Sequence, residues 1–160
     1  MNVVLTWPEL VIAAGIGMRR QIGALRKSLL NRHGLSEEDS WSAHVEGAAG
    51  EMAAARAMNR YYSGSVNTFK RDGDVGKIQV RTRSRHDYEL LVRPEDRDGD
   101  VFVLVTGVAP AFNVVGWLLG RHAKQDQWLK QHGGRPPAYF VPHAQLHPIE
   151  SLCHDLDAVP

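Results

Sequence analysis

The chain has 160 residues, with 19 Lys and Arg against 18 Asp and Glu, so its formal charge of +1 supplies no global field toward nucleic acid or a membrane. Any nucleic-acid surface must therefore be local. The length suits a single domain over residues 1–160, and the lone Cys153 excludes an internal disulfide or a thiolate zinc site, reading as a buried or idle thiol in a reducing compartment.

The amino-terminal stretch lacks the basic, apolar and small-residue order of a secretory signal. Leu10 to Met18 is apolar for nine residues before Arg19-Arg20, too short to cross a bilayer, so the chain reads as cytoplasmic with no membrane partner. Thr6, Pro8 and Glu9 form a helix start. Leu10, Ala13, Ala14, Gly17, Ile22, Leu25, Leu29 and Leu30 continue a helical stripe to His33-Gly34. Arg19, Arg20, Arg26, Lys27 and Arg32 along it read as a solvated basic face or a secondary phosphate-binding surface.

Ser36 to Ser40 offers a capping loop for a second helix from about Trp41 to Tyr61, stopped near Gly64. Within it Ala43, Gly47, Gly50 and Ala54 make a small-residue stripe. Interior glycines cost about 1 kcal/mol each relative to alanine, so close packing on a sheet is the expected compensation. Glu51 lies at the stripe's edge. Glu46 lies about 140 degrees around the helix from it and is expected at the surface or behind the site.

Asp72-Gly73-Asp74 is a turn, followed by the short strand Ile78 to Thr82. Side chains alternate along a strand, so Gln79 and Arg81 share one face while Ile78, Val80 and Thr82 share the other. With Val75-Gly76 at a hairpin tip, Asp74 comes within reach of Gln79. Cleavage of a phosphodiester at neutral pH needs divalent ions held by oxygen ligands and a cation that steadies the phosphate. Glu51, Asp74, Gln79 and Arg81 could provide them; the plainer reading of the strand is a solvated hairpin with one polar face.

Tyr88 to Val92, Val101 to Val108 and Phe112 to Leu119 read as strands, with Val101 to Val105 central. Asp96 to Asp100 is a turn and not a calcium loop, because twelve positions counted from Asp96 end on Gly107. Arg121 to Gln131 is a short helix or a loop, Gly133 to Pro137 a break, and Tyr139 to Pro142 a last edge strand. His143 and His147 have a zinc-compatible spacing, with His154 as the nearest third ligand, but Pro148 interrupts the pattern and polar residues on a closing turn are the simpler reading. A nucleotide-binding P-loop and a serine-hydrolase elbow are absent.

The order Glu51, Asp74, Gln79, Arg81 resembles the PD-(D/E)xK nuclease superfamily, whose pattern is a helix acid, a strand-end Asp and an (Asp/Glu)-x-Lys strand. More narrowly, His44-Val45-Glu46-Gly47, Gly50-Glu51, Asp74-Val75-Gly76, Ile78 to Thr82, Gly116-Trp117 and Pro137 to Pro142 resemble small proteins of tailed phages and prophages, over roughly residues 41–148.

The resemblance implies an α/β fold with a restriction-endonuclease-like core, a central mixed β-sheet flanked by helices behind a long N-terminal helix. It implies a metal-dependent DNA nuclease in a host cytoplasm. Glu51, Asp74 and Gln79 would hold Mg²⁺ or Mn²⁺, Arg81 would stabilise the charge on phosphorus, and Lys77, Arg81, Arg83 and Arg85 would grip DNA. Gln79 and Arg81 depart from the family pattern. An amide brings no charge to a metal, and a guanidinium cannot accept a proton. A catalytically degenerate nucleic-acid-binding relative and a phage structural or interaction component therefore stand as alternatives.

Overall fold

The computed structural model describes residues 1–26, 37–64, 66 and 73–155. The expected helix end at His33-Gly34, Lys27, Arg32, Ser36 and Asp72 lie outside the described residues, as do the side chains of Cys153 and His154.

Strand β1 (Asn2–Val4) leads into helix α1 (Trp7–Arg26). Glu9 makes the capping box legible in the sequence, accepting from the Thr6 backbone N–H at 2.6 Å and the Thr6 hydroxyl at 2.8 Å. Helix α2 covers Glu37–Ala57, starting and stopping about four residues earlier than expected. Its end is set by Asn59, at φ 51°, rather than by Gly64. Asn tolerates the left-handed conformation, and the Asn59 N–H to Arg56 and Arg60 N–H to Ala55 bonds, 3.1 and 2.8 Å, close the carbonyl end of the helix.

Four strands form a mixed sheet: β1, β2 (Ile78–Arg83), β4 (Val101–Val108) and β5 (Ala111–Leu119), in the order β1-β5-β4-β2. β2 runs parallel to β4, and the other pairings are antiparallel. Val101–Val108 has the expected bounds and an interior place, as its apolar run from Val101 to Val105 requires. Among the described residues Asp74 belongs to no strand; Val75 bridges Ile78 across a tight turn with Gly76 at φ 62°.

A second sheet contains β3 (Leu90–Val92), β6 (Leu129–Lys130) and β7 (Ala138–Val141), in the order β3-β7-β6. The expected edge strand at Tyr139 to Pro142 is thus the middle strand of this sheet. Pro142 falls just beyond it, where its missing N–H costs no ladder bond. Between β5 and β6 the chain makes a short helix α3 (Gly120–Ala123) and a single 3-10 turn at Asp126–Trp128.

Each face of the mixed sheet has its own core. Ile78, Val80, Val103, Val105 and Val114 pack with Ala48, Met52, Ala53 and Ala55 of α2 and with Ile149 and Leu152 of helix α4 (Ile149–Asp155). Phe102, Leu104 and Leu118 face the other way and pack with Leu90, Val92 and Val141 of the second sheet.

The small-residue stripe serves this packing unevenly. Gly50 lies so close to β2 that a Cβ there would stand 2.0 Å from the Thr82 Oγ1, and Ala54 is fully buried. Among the described residues Gly47 has nothing within 4 Å of such a Cβ, and Ala43 is exposed. Beyond the second sheet the chain returns to the first through His147, whose backbone exchanges bonds of 2.9 and 3.0 Å with Trp117 while the Trp117 indole N–H donates to Ser151 Oγ at 2.9 Å.

Candidate functional site

The first face carries an acid cluster beneath α1 and α2. Glu51, 6% exposed, receives Nη1 and Nη2 of Arg20 on separate oxygens at 2.6 and 2.7 Å, and the Tyr62 hydroxyl donates to Oε2 at 2.9 Å. Burial raises the Glu51 pKa; the bond from Arg20 opposes this, and the Asp74 charge nearby raises it again. Asp74 accepts the Val80 N–H on Oδ2 at 2.7 Å. Its pKa is also raised by burial, against the lowering effects of that bond and of the Arg81 and Arg20 charges. Tyr62 is pushed upward by burial and by Glu51.

The structure thus brings Glu51 and Asp74 into one electrostatic neighbourhood. Gln79 and Arg81 are directed elsewhere. They pair in register with Phe102 and Leu104, on the face opposite Ile78, Val80 and α2. Arg81 donates to Asp96 Oδ2 at 2.9 Å and stacks over Phe102 at 5.0 Å from the ring centre. Its buried Nε has no hydrogen-bond partner among the described residues.

A metal shared by Glu51, Asp74 and Gln79 does not fit this arrangement. Arg20 holds both Glu51 oxygens, and Gln79 lies across the strand from the acid pair. Among the described residues no group of three or more His, Cys, Asp and Glu side chains is placed to hold a metal ion. Glu46, on another side of α2, accepts the Ala109 N–H at 3.1 Å in the turn between β4 and β5.

The other polar motifs have structural partners. Lys124 Nζ donates to the carbonyls of Pro94, at 3.0 Å, and Asp96, and to Asp98 Oδ1 at 2.7 Å, so an ammonium fills the turn that superficially resembled a calcium loop. His143 sits in a 3-10 turn with Nε2 at 2.8 Å from the Tyr88 carbonyl, while the His147 ring lies 4.9 Å from that of Trp117. They occupy no common helical face. Among the described residues no helix is long and apolar enough to cross a membrane.

The expected DNA-gripping residues divide as well. Lys77 is exposed on the tight turn, and Arg85 is bound by Asp87 through two bonds of 2.9 and 2.7 Å. Arg83 instead stacks on Tyr88 at 4.8 Å and lines a cleft of about 1020 Å³ between β2 and the second sheet. Arg93 and Arg135 line it too, and neither stood out in the sequence. Arg93 follows a strand and Arg135 sits in a Gly-Pro turn, positions at which arginine is commonplace. Arg20 was legible only as one of several cations on a helix, because its partner is 31 residues away.

No protein-family model, curated protein or solved structure matches the chain, so its functional reading rests on the geometry of these two sites.

Proposed function

We propose that the protein is a nucleic-acid-binding relative of the PD-(D/E)xK nucleases, with a restriction-endonuclease-like core over residues 41–148 and an acid site closed by its own arginine. The observation that carries this reading is the grip of Arg20 on both oxygens of Glu51, while Gln79 and Arg81 face away. The acid cluster then serves as a buried structural joint, and binding falls to the arginines beside β2. DNA is the expected partner.

Titration against labelled DNA at low and moderate salt tests the reading. Binding should weaken steeply with salt, because each neutralised phosphate releases a counterion. Absence of binding at low salt would leave a protein partner instead.

A second reading, a Mg²⁺- or Mn²⁺-dependent deoxyribonuclease, draws on the proximity of Glu51 and Asp74 and on the burial that raises both pKa values. It requires Arg20 to release Glu51. Cleavage of single- and double-stranded DNA with Mg²⁺ or Mn²⁺, abolished by EDTA and by Asp74→Ala, would establish it.

A further inference from the structure

The cleft between β2 and the second sheet combines an apolar floor with three arginines that form no ion pair among the described residues. Leu91 and Phe140 are register partners that line it, while Leu90, Val92 and Val141 face the core. Phe140 meets the His132 ring edge-on, with centroids 4.8 Å apart. Arg83, Arg93 and Arg135 also line the cleft, and among the described residues none of the three forms an ion pair, whereas nearby Arg81 and Arg85 do.

Arg83 and Arg135 repel one another across the cleft. Burial lowers the pKa of Arg83 and of Arg93, and Arg135 lowers the first and Arg81 the second, while Tyr88 and Glu89 oppose the shift at Arg83 and Asp96 and Glu95 oppose it at Arg93. Of the three acids lining the cleft, Asp87 is engaged by Arg85 and Glu89 by Lys130, while Glu95 partly offsets the charge of Arg93. An anion entering the cleft would relieve this repulsion, and a flat apolar group could cover Leu91 and Phe140.

We infer that this cleft binds a short single-stranded stretch of nucleic acid, its phosphates on Arg83, Arg93 and Arg135 and an unstacked base against Phe140 and Leu91. The inference rests on the nucleic-acid reading above and specifies its ligand. A duplex buries its base faces in the stack and has nothing flat to offer a concave apolar floor, whereas single strands combine phosphate with free aromatic faces. The volume of about 1020 Å³ is at the upper end of ordinary small-ligand sites, suited to a few nucleotides.

The test is fluorescence anisotropy of the full chain with a labelled oligo-dT of about ten nucleotides and with a duplex of the same length. The single strand should bind at least about tenfold tighter. Arg135→Ala, at an exposed turn position, should weaken the single strand by about tenfold and lower its salt dependence by one phosphate contact. Phe140→Leu keeps apolar bulk in the strand and should lower single-strand affinity by about five- to tenfold with little effect on the duplex, consistent with loss of a stacked base.

Duplex binding equal to single-strand binding would overturn the inference and leave the nucleic-acid reading intact. Binding of neither would remove both. A polyglutamate peptide that competes as well as oligo-dT would assign the cleft to an acidic protein segment. Unchanged single-strand affinity in both folded variants would place the ligand elsewhere.

Discussion

Arg20 and Glu51, 31 residues apart in sequence, meet through two hydrogen bonds of 2.6 and 2.7 Å, one to each carboxylate oxygen. The side chains retain only 16% and 8% of their exposure, so removing one partner strands a charge in a poorly hydrated place. Arg20→Ala is expected to cost about 3–5 kcal/mol of unfolding free energy, measured by urea titration. Replacing both with apolar residues of similar size, Arg20→Met with Glu51→Leu, should recover most of that loss. Tyr62→Phe removes one donor to the carboxylate and should cost about 1–2 kcal/mol. A loss below about 1 kcal/mol for Arg20→Ala would show that water reaches Glu51.

Stability should also report the two raised carboxyl pKa values. Glu51 and Asp74 bind protons more tightly folded than unfolded, because burial disfavours their charged forms. Their contribution is therefore fully present below the ordinary carboxylate range and is lost as pH rises through the folded values. Between that range and neutrality, these groups should raise the melting temperature as pH falls. Asp74→Asn can still accept the Val80 N–H through its amide oxygen, and it should flatten this slope in thermal melts across the same pH window. A variant slope equal to that of the wild type would show that Asp74 stays ionised throughout.

The two glycines of the α2 stripe should respond oppositely to a methyl group. Gly50→Ala drives a Cβ to 2.0 Å from the Thr82 Oγ1, and shifting α2 or β2 should cost about 1–3 kcal/mol. Gly47→Ala meets nothing within 4 Å among the described residues and should gain about 0.5–1 kcal/mol from helix propensity. Denaturation midpoints of the two variants settle the comparison. Destabilisation by Gly47→Ala would mean that this face of the helix has a covering partner.

Gln79→Glu with Arg81→Lys restores the residue types of the nuclease pattern, yet it should not create metal-dependent cleavage. The new carboxylate would stand on the Phe102 and Leu104 face, opposite α2 and Glu51. Lysine would also lose the guanidinium's contact over the Phe102 ring and weaken the bond to Asp96. Plasmid nicking with Mg²⁺, Mn²⁺ or EDTA is the measurement. Cleavage by the double variant, but not by the wild type, would show that β2 can turn its polar face toward the acids.

The elements that could be read from the sequence are those specified by neighbours in the chain. Val101–Val108 emerged from the apolar run Val101 to Val105, and the start of α1 from Thr6 and Glu9 three residues apart. β1 and β6 were missed because strands of three and two residues are too short for an alternating pattern. At the site, alternation correctly paired Gln79 with Arg81 but could not say which face α2 covers. That choice is made by Gly50 against Thr82, a contact between distant segments. The partners of Arg20 and Arg81, Glu51 and Asp96, likewise come together only in the tertiary fold.

The Trp117 and His147 backbone exchange joins the segment leaving the second sheet to β5 of the first. The two sheets that wall the cleft are therefore tied together through this clasp as well as through their shared core. Prying them apart would break the two backbone hydrogen bonds of the clasp together, and with them the alignment of the Trp117 indole on Ser151. Deuterium uptake at Trp117 and His147 would consequently act as a remote gauge of cleft opening, slowing when the walls are pinned by a bound strand even though neither residue touches it.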